Sequence, residues 1–170
     1  MGSTENTDLV VSTLRQIIRV IDLQSKKLVK SYGLTGPQLL VLKEIKKNKN
    51  QQISVIAKNV SLSQATVTSI LDRLEQQNFA KRVRSLDDKR KVNIVLTDKS
   101  YEVLKENPSL LQEEFTSKLE QLEEWERNMI LSNLQRLASM MNANEINSPP
   151  VLVSGSIDAT SNVVNAYLKD

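Results

Sequence analysis

The chain of 170 residues contains no cysteine and no histidine. Without cysteine it can form no disulfide, thiolate nucleophile, cysteine-ligated zinc site or thiol redox sensor of its own. Without histidine it lacks the commonest general base and the commonest transition-metal ligand. These two absences exclude most familiar hydrolase and oxidoreductase sites. We therefore expect a protein that is not an enzyme and that uses no metal or cofactor.

Aromatic residues, glycine and proline are also scarce. Aromatic residues make up 4% of the chain, and glycine and proline number four each. Sandwiches and barrels need frequent turns, so this composition favours helices. No apolar run approaches the roughly 18 residues of a membrane span. The first residues lack the basic start and apolar centre of a signal peptide, which leads us to expect a cytoplasmic protein.

The net charge of +3 is small, but the charges are unevenly distributed. Residues 15–49 hold nine Lys and Arg against two acids, and residues 81–91 hold six against two. Residues 102–126 reverse the sign, with eight Glu against two Lys. This sorting suggests that one face of the protein is directed toward a polyanion.

Hydrophobic periodicity predicts a series of helices. Apolar residues recur at three- and four-residue steps over 8–31, and Gly33 is placed to end this helix. Thr35 is placed to cap the next helix. Ile53 resembles a short extended piece with Ser54 as the cap of a short helix. Ser63 is a candidate cap for a further helix that extends to about residue 77.

Residues 79–97 alternate apolar and polar, the period of a β-strand, around the charged segment 85–91. The expected structure is a β-hairpin with a basic tip. A helix-turn-helix followed by such a hairpin is a winged helix, which suits DNA: one helix enters the major groove, and the tip lies in the minor groove. The candidate DNA-binding residues are Ser63, Gln64, Thr66, Thr68, Ser69 and Arg73 on the helix, with Arg82, Arg84, Asp88, Lys89 and Arg90 on the hairpin.

The run from Ser63 to Arg82, the Asp88-Lys-Arg90 segment and the Val95-Leu-Thr97 segment together resemble the MarR family of bacterial transcription regulators. The resemblance covers about residues 8–143 and is most specific over 54–100. Ser61 and Asn78 depart from the family pattern, in which glycine is common at both positions. Either residue can occupy a turn, so the departures leave the fold expectation intact.

The resemblance implies a mainly α fold: a winged helix-turn-helix over 34–97, with long dimerisation helices over 8–33 and 98–143. It implies a homodimer on a near-palindromic operator of double-stranded DNA, and it assigns Arg90 to DNA contact. Asp88 would then orient the wing, and Arg73 would lie at a phosphate or base edge. Residues 144–170 differ in composition and are predicted to form an arm or tail.

The segments around 137–141 and 147–153 more weakly resemble the C-terminal extension of regulators beside ectoine and compatible-solute operons. That resemblance suggests control of osmolyte genes, with a betaine-like small-molecule effector. Aromatic faces recognise quaternary ammonium groups. The candidate effector-binding residues are Tyr32, Tyr101, Phe115 and Trp125.

Other interpretations of the same residues remain open. A polar face is what any surface helix has, and Trp125 is more often a core or interface anchor than part of a ligand cage. Two other functions compete with regulation of transcription: a winged-helix protein-interaction module without DNA binding, and a small carboxylate-dependent enzyme. The second lacks a paired-acid motif.

Overall fold

A computed structural model describes residues 2–48, 51–84, 92–143 and 151–154, with only the backbone given for residues 2–4. These residues form seven helices and a two-stranded antiparallel hairpin, which confirms the predicted mainly helical winged-helix fold. The elements are α1 (Gly2–Tyr32), α2 (Gly36–Lys47), α3 (Ile53–Asn59), α4 (Gln64–Gln76), β1 (Ala80–Arg84), β2 (Val92–Leu96), α5 (Asp98–Lys105), α6 (Leu111–Glu120) and α7 (Glu124–Met140).

The chain divides into two compact units. The first contains the described residues up to Pro108 together with 151–154, and the second contains residues 109–143. The predicted division places its boundaries at 33, 97 and 143, and it remains a prediction. Among the described residues, no helix is both long enough and apolar enough to cross a membrane.

Helix α1 begins before residue 8, its predicted start. It ends at Tyr32, next to Gly33, the residue predicted to end it. Gly33 has a φ of +67°, a left-handed conformation that side chains disfavour, and its N–H donates to Val29 O at 2.8 Å. Thr35 then precedes α2, and its backbone N–H donates to Gln38 Oε1 at 2.8 Å. Pro37 lies in the first turn of α2, where a missing N–H costs little.

The core of the first unit lies among α2, α3, α4 and the hairpin. Its largest fully buried side chains come from all four elements and from the turns beside them. Burial of these groups supplies the main favourable free energy of this unit. They are Leu34, Leu39, Val41, Leu42, Ile56, Val67, Ile70, Leu71, Leu74, Phe79 and Ile94.

The expected extended piece at Ile53 is not observed. Helix α3 begins at Ile53 itself, and the cap is Gln52, whose φ of −76° and ψ of 152° are extended. The backbone N–H groups of Val55 and Ile56 both donate to Gln52 O, so the first turn closes two residues before the predicted cap at Ser54. Ile53 therefore lies in a helix, although a β-branched residue also suits a strand.

The hairpin begins after a left-handed residue. Asn78 has a φ of +59°, which asparagine tolerates better than most residues, and the chain then enters β1. The strands pair from Ala80 with Leu96 to Arg84 with Val92. Thr97 caps α5, and its hydroxyl donates to Asn78 O at 2.7 Å, which closes the base of the hairpin.

The second unit consists of α6 and α7. The Leu110 N–H before α6 donates to Glu113 Oε2 at 3.2 Å, and the Glu123 N–H before α7 donates to Glu126 Oε2 at 2.9 Å. In both cases a glutamate in the first turn accepts from a backbone group that the helix leaves unpaired. Pro108 lies between α5 and this unit, where proline disfavours a continuous helix.

Candidate nucleic-acid interface

Helix α4 is the candidate recognition helix, called the reading helix below. The turn before it and its first turn are both held by hydrogen bonds. Ser61 has a φ of +55° in the turn after α3, and the Leu62 N–H donates to Ala57 O at 3.0 Å. Ser63 is the cap, since its Oγ accepts from the Thr66 N–H at 3.0 Å and lies 2.8 Å from Thr66 Oγ1. The predicted cap is confirmed, and it pairs a backbone N–H that the first turn of α4 would otherwise leave without an acceptor.

One face of α4 is apolar and one is polar. Val67, Ile70, Leu71 and Leu74 have no exposed surface. The predicted contact residues lie outside this buried stripe: Ser63 and Gln64 are exposed, and Thr66, Thr68, Ser69 and Arg73 are half-buried. The structure therefore places all six on the accessible part of the helix, where their side chains meet solvent.

The hairpin residues have more varied surroundings. Arg84 is exposed at the end of β1. Arg82 is half-buried, and its guanidinium contacts two carboxylates of α4: Asp72 Oδ1 at 2.7 Å from Nη2, and Glu75 Oε2 from Nη1. The predictions for Asp88, Lys89 and Arg90 lie outside the described residues.

The position of α3 depends on a carboxylate that sequence reasoning missed. Glu44 Oε1 of α2 accepts from three amide groups: Asn59 at 2.7 Å, Asn48 at 3.0 Å and Gln51 at 3.2 Å. Burial acts to raise the pKa of Glu44, but these three hydrogen bonds and the nearby Lys47 lower it below its ordinary value. The charged form of Glu44 thus joins α2 to the end of α3.

The four predicted effector-binding aromatic residues are divided between the two units. Tyr32 and Tyr101 belong to the first unit, and Phe115 and Trp125 belong to the second. Tyr32 is half-buried and the other three are exposed, with 65% of Trp125 accessible. An aromatic cage made from these residues remains a prediction.

The hydrogen bonds that sequence reasoning missed join residues far apart in the chain. Asp72 and Glu75 lie one helical turn apart, a spacing that brings two carboxylates to one side of a helix. That spacing signals a shared cation, although it does not identify Arg82 as the partner. The Glu44 cluster carries no comparable signal, because asparagine and glutamine in a polar turn have no preferred partner.

Comparison with known proteins agrees with this geometry. The sequence model of the MarR family matches residues 34–92, which include α2, α3, α4 and the start of the hairpin. The HTH-type transcriptional repressor MdtR of Bacillus subtilis is 31% identical over 86 residues, which are 51% of this chain and 56% of MdtR. The HTH-type transcriptional regulator MgrA of Staphylococcus aureus is 41% identical over 76 residues, 45% of this chain and 52% of MgrA.

The chain spans about half the length of these curated relatives. A solved structure, the S. aureus MepR–DNA complex, superimposes with a TM-score of 0.54 over 76% of this chain and 96% of MepR. At 22% identity this likeness shows the fold alone. The names of MdtR and MgrA describe regulation of transcription, in agreement with the expectation of a protein that is not an enzyme. Residues 34–92 of the chain are therefore similar to the MarR family.

Proposed function

We propose that the chain is a sequence-specific DNA-binding transcriptional regulator that acts as a homodimeric repressor. The observation that carries the proposal is the geometry of α4. Its inner face is fully buried, its first turn is capped by Ser63, and its accessible face carries short polar side chains. A rigid helix with such a face suits base edges in the major groove, because bulky apolar groups would block close approach.

In the proposed complex, Gln64, Thr66, Thr68 and Ser69 read base edges. Gln64 begins the helix and is exposed, so its amide is available to an adenine edge. Thr68 Oγ1 donates to Gln64 O at 2.8 Å, which leaves its methyl group and its lone pairs for the groove. Arg73 and the exposed Arg84 supply phosphate contacts, which position the helix without reading sequence.

The proposed dimer rests on exposed apolar side chains at both ends of the chain. Helix α1 carries a run of them, including Ile18 at 63% exposure, and α7 carries another, including Met140 at 70%. Exposed apolar surface of this extent marks an interaction site. The residues are Leu9, Val10, Val11, Ile17, Ile18, Val20 and Leu23 on α1, with Trp125, Met129, Leu131, Leu134 and Met140 on α7.

Two finer features belong to the same proposal. Control of osmolyte genes is supported by the weak sequence resemblance alone. A small-molecule effector, if the protein takes one, would act by changing the separation of the two α4 helices, which must lie about 34 Å apart to occupy successive half-sites. We propose no metal or cofactor in this mechanism and a place of action in the cytoplasm, on DNA.

The test is DNA binding by the full chain. Fluorescent duplexes from its own upstream region and from promoters of compatible-solute genes are titrated against random DNA across salt concentrations. We expect selective binding whose affinity falls steeply with salt, because each neutralised phosphate contributes about −0.9 to the log–log slope. Light scattering of the same samples measures the molar mass, for which we expect a dimer of the 19.2 kDa chain.

Three outcomes would each contradict all or part of the proposal. No binding at low salt, with affinity for protein partners that survives high salt, would favour the protein-interaction module. A monomer at micromolar concentration that still binds DNA selectively would contradict the proposed dimer. It would leave the proposed recognition of DNA by α4 intact. Selective binding to promoters other than those of compatible-solute genes would remove only the osmolyte target.

A further inference from the structure

We propose that Arg82 is a positioning residue that locks the wing hairpin onto the reading helix, and that it is not a DNA contact. The inference rests on the proposed function and concerns how its two reading elements are held together. The evidence is the surroundings of Arg82 in β1 and of the two carboxylates, Asp72 and Glu75, in α4.

Both the backbone and the side chain of Arg82 are bound by α4. Its backbone N–H donates to Glu75 Oε1 at 2.8 Å, and its Nη1 donates to Glu75 Oε2. Its Nη2 lies 2.7 Å from Asp72 Oδ1. One arginine therefore bridges two acids one turn apart, with one terminal guanidinium nitrogen on each carboxylate.

The backbone bond pairs an N–H of β1 with an acceptor outside the hairpin. In an antiparallel pair, alternate N–H groups point away from the partner strand and need another acceptor. For Arg82 that acceptor is Glu75 of α4. The outer edge of β1 is thus attached to α4 directly, whereas β2 lies on its other edge.

Charge also argues against a phosphate contact by Arg82. Its side chain is 28% exposed, and the two acids it binds are 53% and 30% exposed. A phosphate approaching the guanidinium would be repelled by the two carboxylates that already bind its two terminal nitrogens. Arg84, two residues further along β1, is exposed and is the better candidate for a phosphate.

The consequence for DNA binding is geometric. Helix α4 and the hairpin must reach adjacent grooves together, so a hairpin free to tilt on α4 would lose groove contacts without any loss of basic charge. Removing the two acids distinguishes a DNA contact by Arg82 from a positioning role. If Arg82 contacts DNA, their removal strengthens binding to a polyanion; if Arg82 positions the hairpin, their removal weakens specific binding.

The experiment compares the full-length wild type with three variants: Arg82→Gln, Arg82→Lys and the double variant Asp72→Asn/Glu75→Gln. Arg84→Gln is the reference variant for the loss of one phosphate contact. Each is titrated with the selected duplex and with random DNA across salt, at a temperature where circular dichroism shows every variant folded. We expect Arg82→Gln and the double acid variant to lose about tenfold in the ratio of specific to random affinity, the size of one lost base contact. Arg82→Lys should retain part of that ratio, because an ammonium group reaches one carboxylate but not both.

The salt slope separates the two roles. On random DNA, where binding does not depend on the fit of the hairpin in a groove, Arg84→Gln should reduce the slope by about 0.9, as expected for one phosphate contact, and Arg82→Gln should leave it at the wild-type value. A double acid variant whose ratio is unchanged or higher overturns the proposal, and a slope that falls in Arg82→Gln as it does in Arg84→Gln does the same. If the double variant is unfolded at all usable temperatures, Glu75→Gln replaces it, because the Asp72 ion pair is then kept.

Failure of the proposed function gives a different result. A wild type that binds selected and random duplexes equally at every salt concentration overturns both proposals. Selective binding by the wild type with an unchanged ratio in the acid variant overturns only the role of Arg82. Hydrogen exchange adds a readout without DNA: hairpin amides should exchange faster in the double acid variant, whereas the inner amides of α4 should not.

Discussion

Asn59 Nδ2 donates a 2.7 Å hydrogen bond to Glu44 Oε1, and this bond ties the last residue of α3 to α2. Asn48 and Gln51 donate to the same oxygen, so the carboxylate binds a residue just after α2 and a residue just before α3. Helix α3 in turn supports the N-terminus of α4 through the turn at residues 60–63. The Glu44 carboxylate thus joins α2 to α3, the helix that precedes α4 in the chain.

This cluster predicts a pH dependence of stability. Because the pKa of Glu44 is lowered in the folded state, its charged form stabilises the fold above its ordinary pKa of 4.5, and that stability is lost as the pH falls through the lower folded value. Glu44→Gln should therefore be less stable than wild type at pH 7 by about 1 kcal/mol, with a smaller difference at pH 3. Urea unfolding of Glu44→Gln and of the wild type at both pH values measures this difference in stability. Glu102→Gln, which removes an exposed carboxylate of α5, is the control, and a Glu44→Gln deficit of equal size at both pH values would contradict the prediction.

The backbone conformation at two positions predicts one substitution that stabilises the fold and one that destabilises it. Ser61 has a φ of +55°, where a side chain costs about 1–2 kcal/mol, so Ser61→Gly should raise the free energy of unfolding by about 0.5 kcal/mol after the added flexibility of the unfolded chain. Gly33→Ala should lower it by about 1 kcal/mol, because Gly33 has a φ of +67° and open space around it, so only the backbone resists. Denaturant unfolding of both variants measures the two changes in the free energy of unfolding. A stabilised Gly33→Ala would show that the left-handed turn is absent in solution.

The wing tip predicts a loss of DNA binding without a loss of stability. Arg90→Ala should weaken operator binding by about tenfold or more, since a minor-groove arginine is worth roughly 1–3 kcal/mol. Lys118→Ala on α6 removes the same charge from an exposed position and is the matched control. Fluorescence anisotropy with the selected duplex and thermal melts of both variants provide the measurement. Equal affinity for the two variants would remove the wing tip from the mechanism.

Residues 151–154 predict that the C-terminal arm stabilises the first unit. Val151 is buried, and Ser154 binds α1 through two bonds: its N–H donates to Ser25 Oγ at 3.0 Å, and its hydroxyl donates to Asp22 Oδ1 at 3.2 Å. Val151→Asp should cost about 2 kcal/mol, because it buries an unpaired charge. Leu152→Asp, at a more exposed neighbouring position, is the control and should cost less.

Deletion of residues 145–170 should lower the melting temperature in the same direction as Val151→Asp. Both are measured by circular dichroism at matched protein concentration, since dissociation of a dimer would also move the midpoint. A deletion variant with wild-type melting would show that the arm is passive.

The sequence by itself determined the features that rest on neighbouring residues. Ser63 caps α4, Gly33 follows the end of α1, and residues 80–84 and 92–96 pair as a hairpin, as predicted. Each of these depends on a residue's own conformational preference or on a bond within three or four positions. The polar, accessible face of α4 is predictable for the same reason, since helical periodicity separates it from the buried stripe.

Only the tertiary structure decided which distant residues meet. It placed Arg82 between Asp72 and Glu75, Glu44 against Asn59, and Ser154 against Asp22. In each case the polar groups had several chemically equivalent partners along the chain. The packing of α2, α3, α4 and β1 brought the first two sets within bonding distance, and the contact of residues 151–154 with α1 brought the third. Arginine in a basic segment suggests a DNA contact from sequence alone, but two carboxylates held beside it by the fold give it a different role in our proposal.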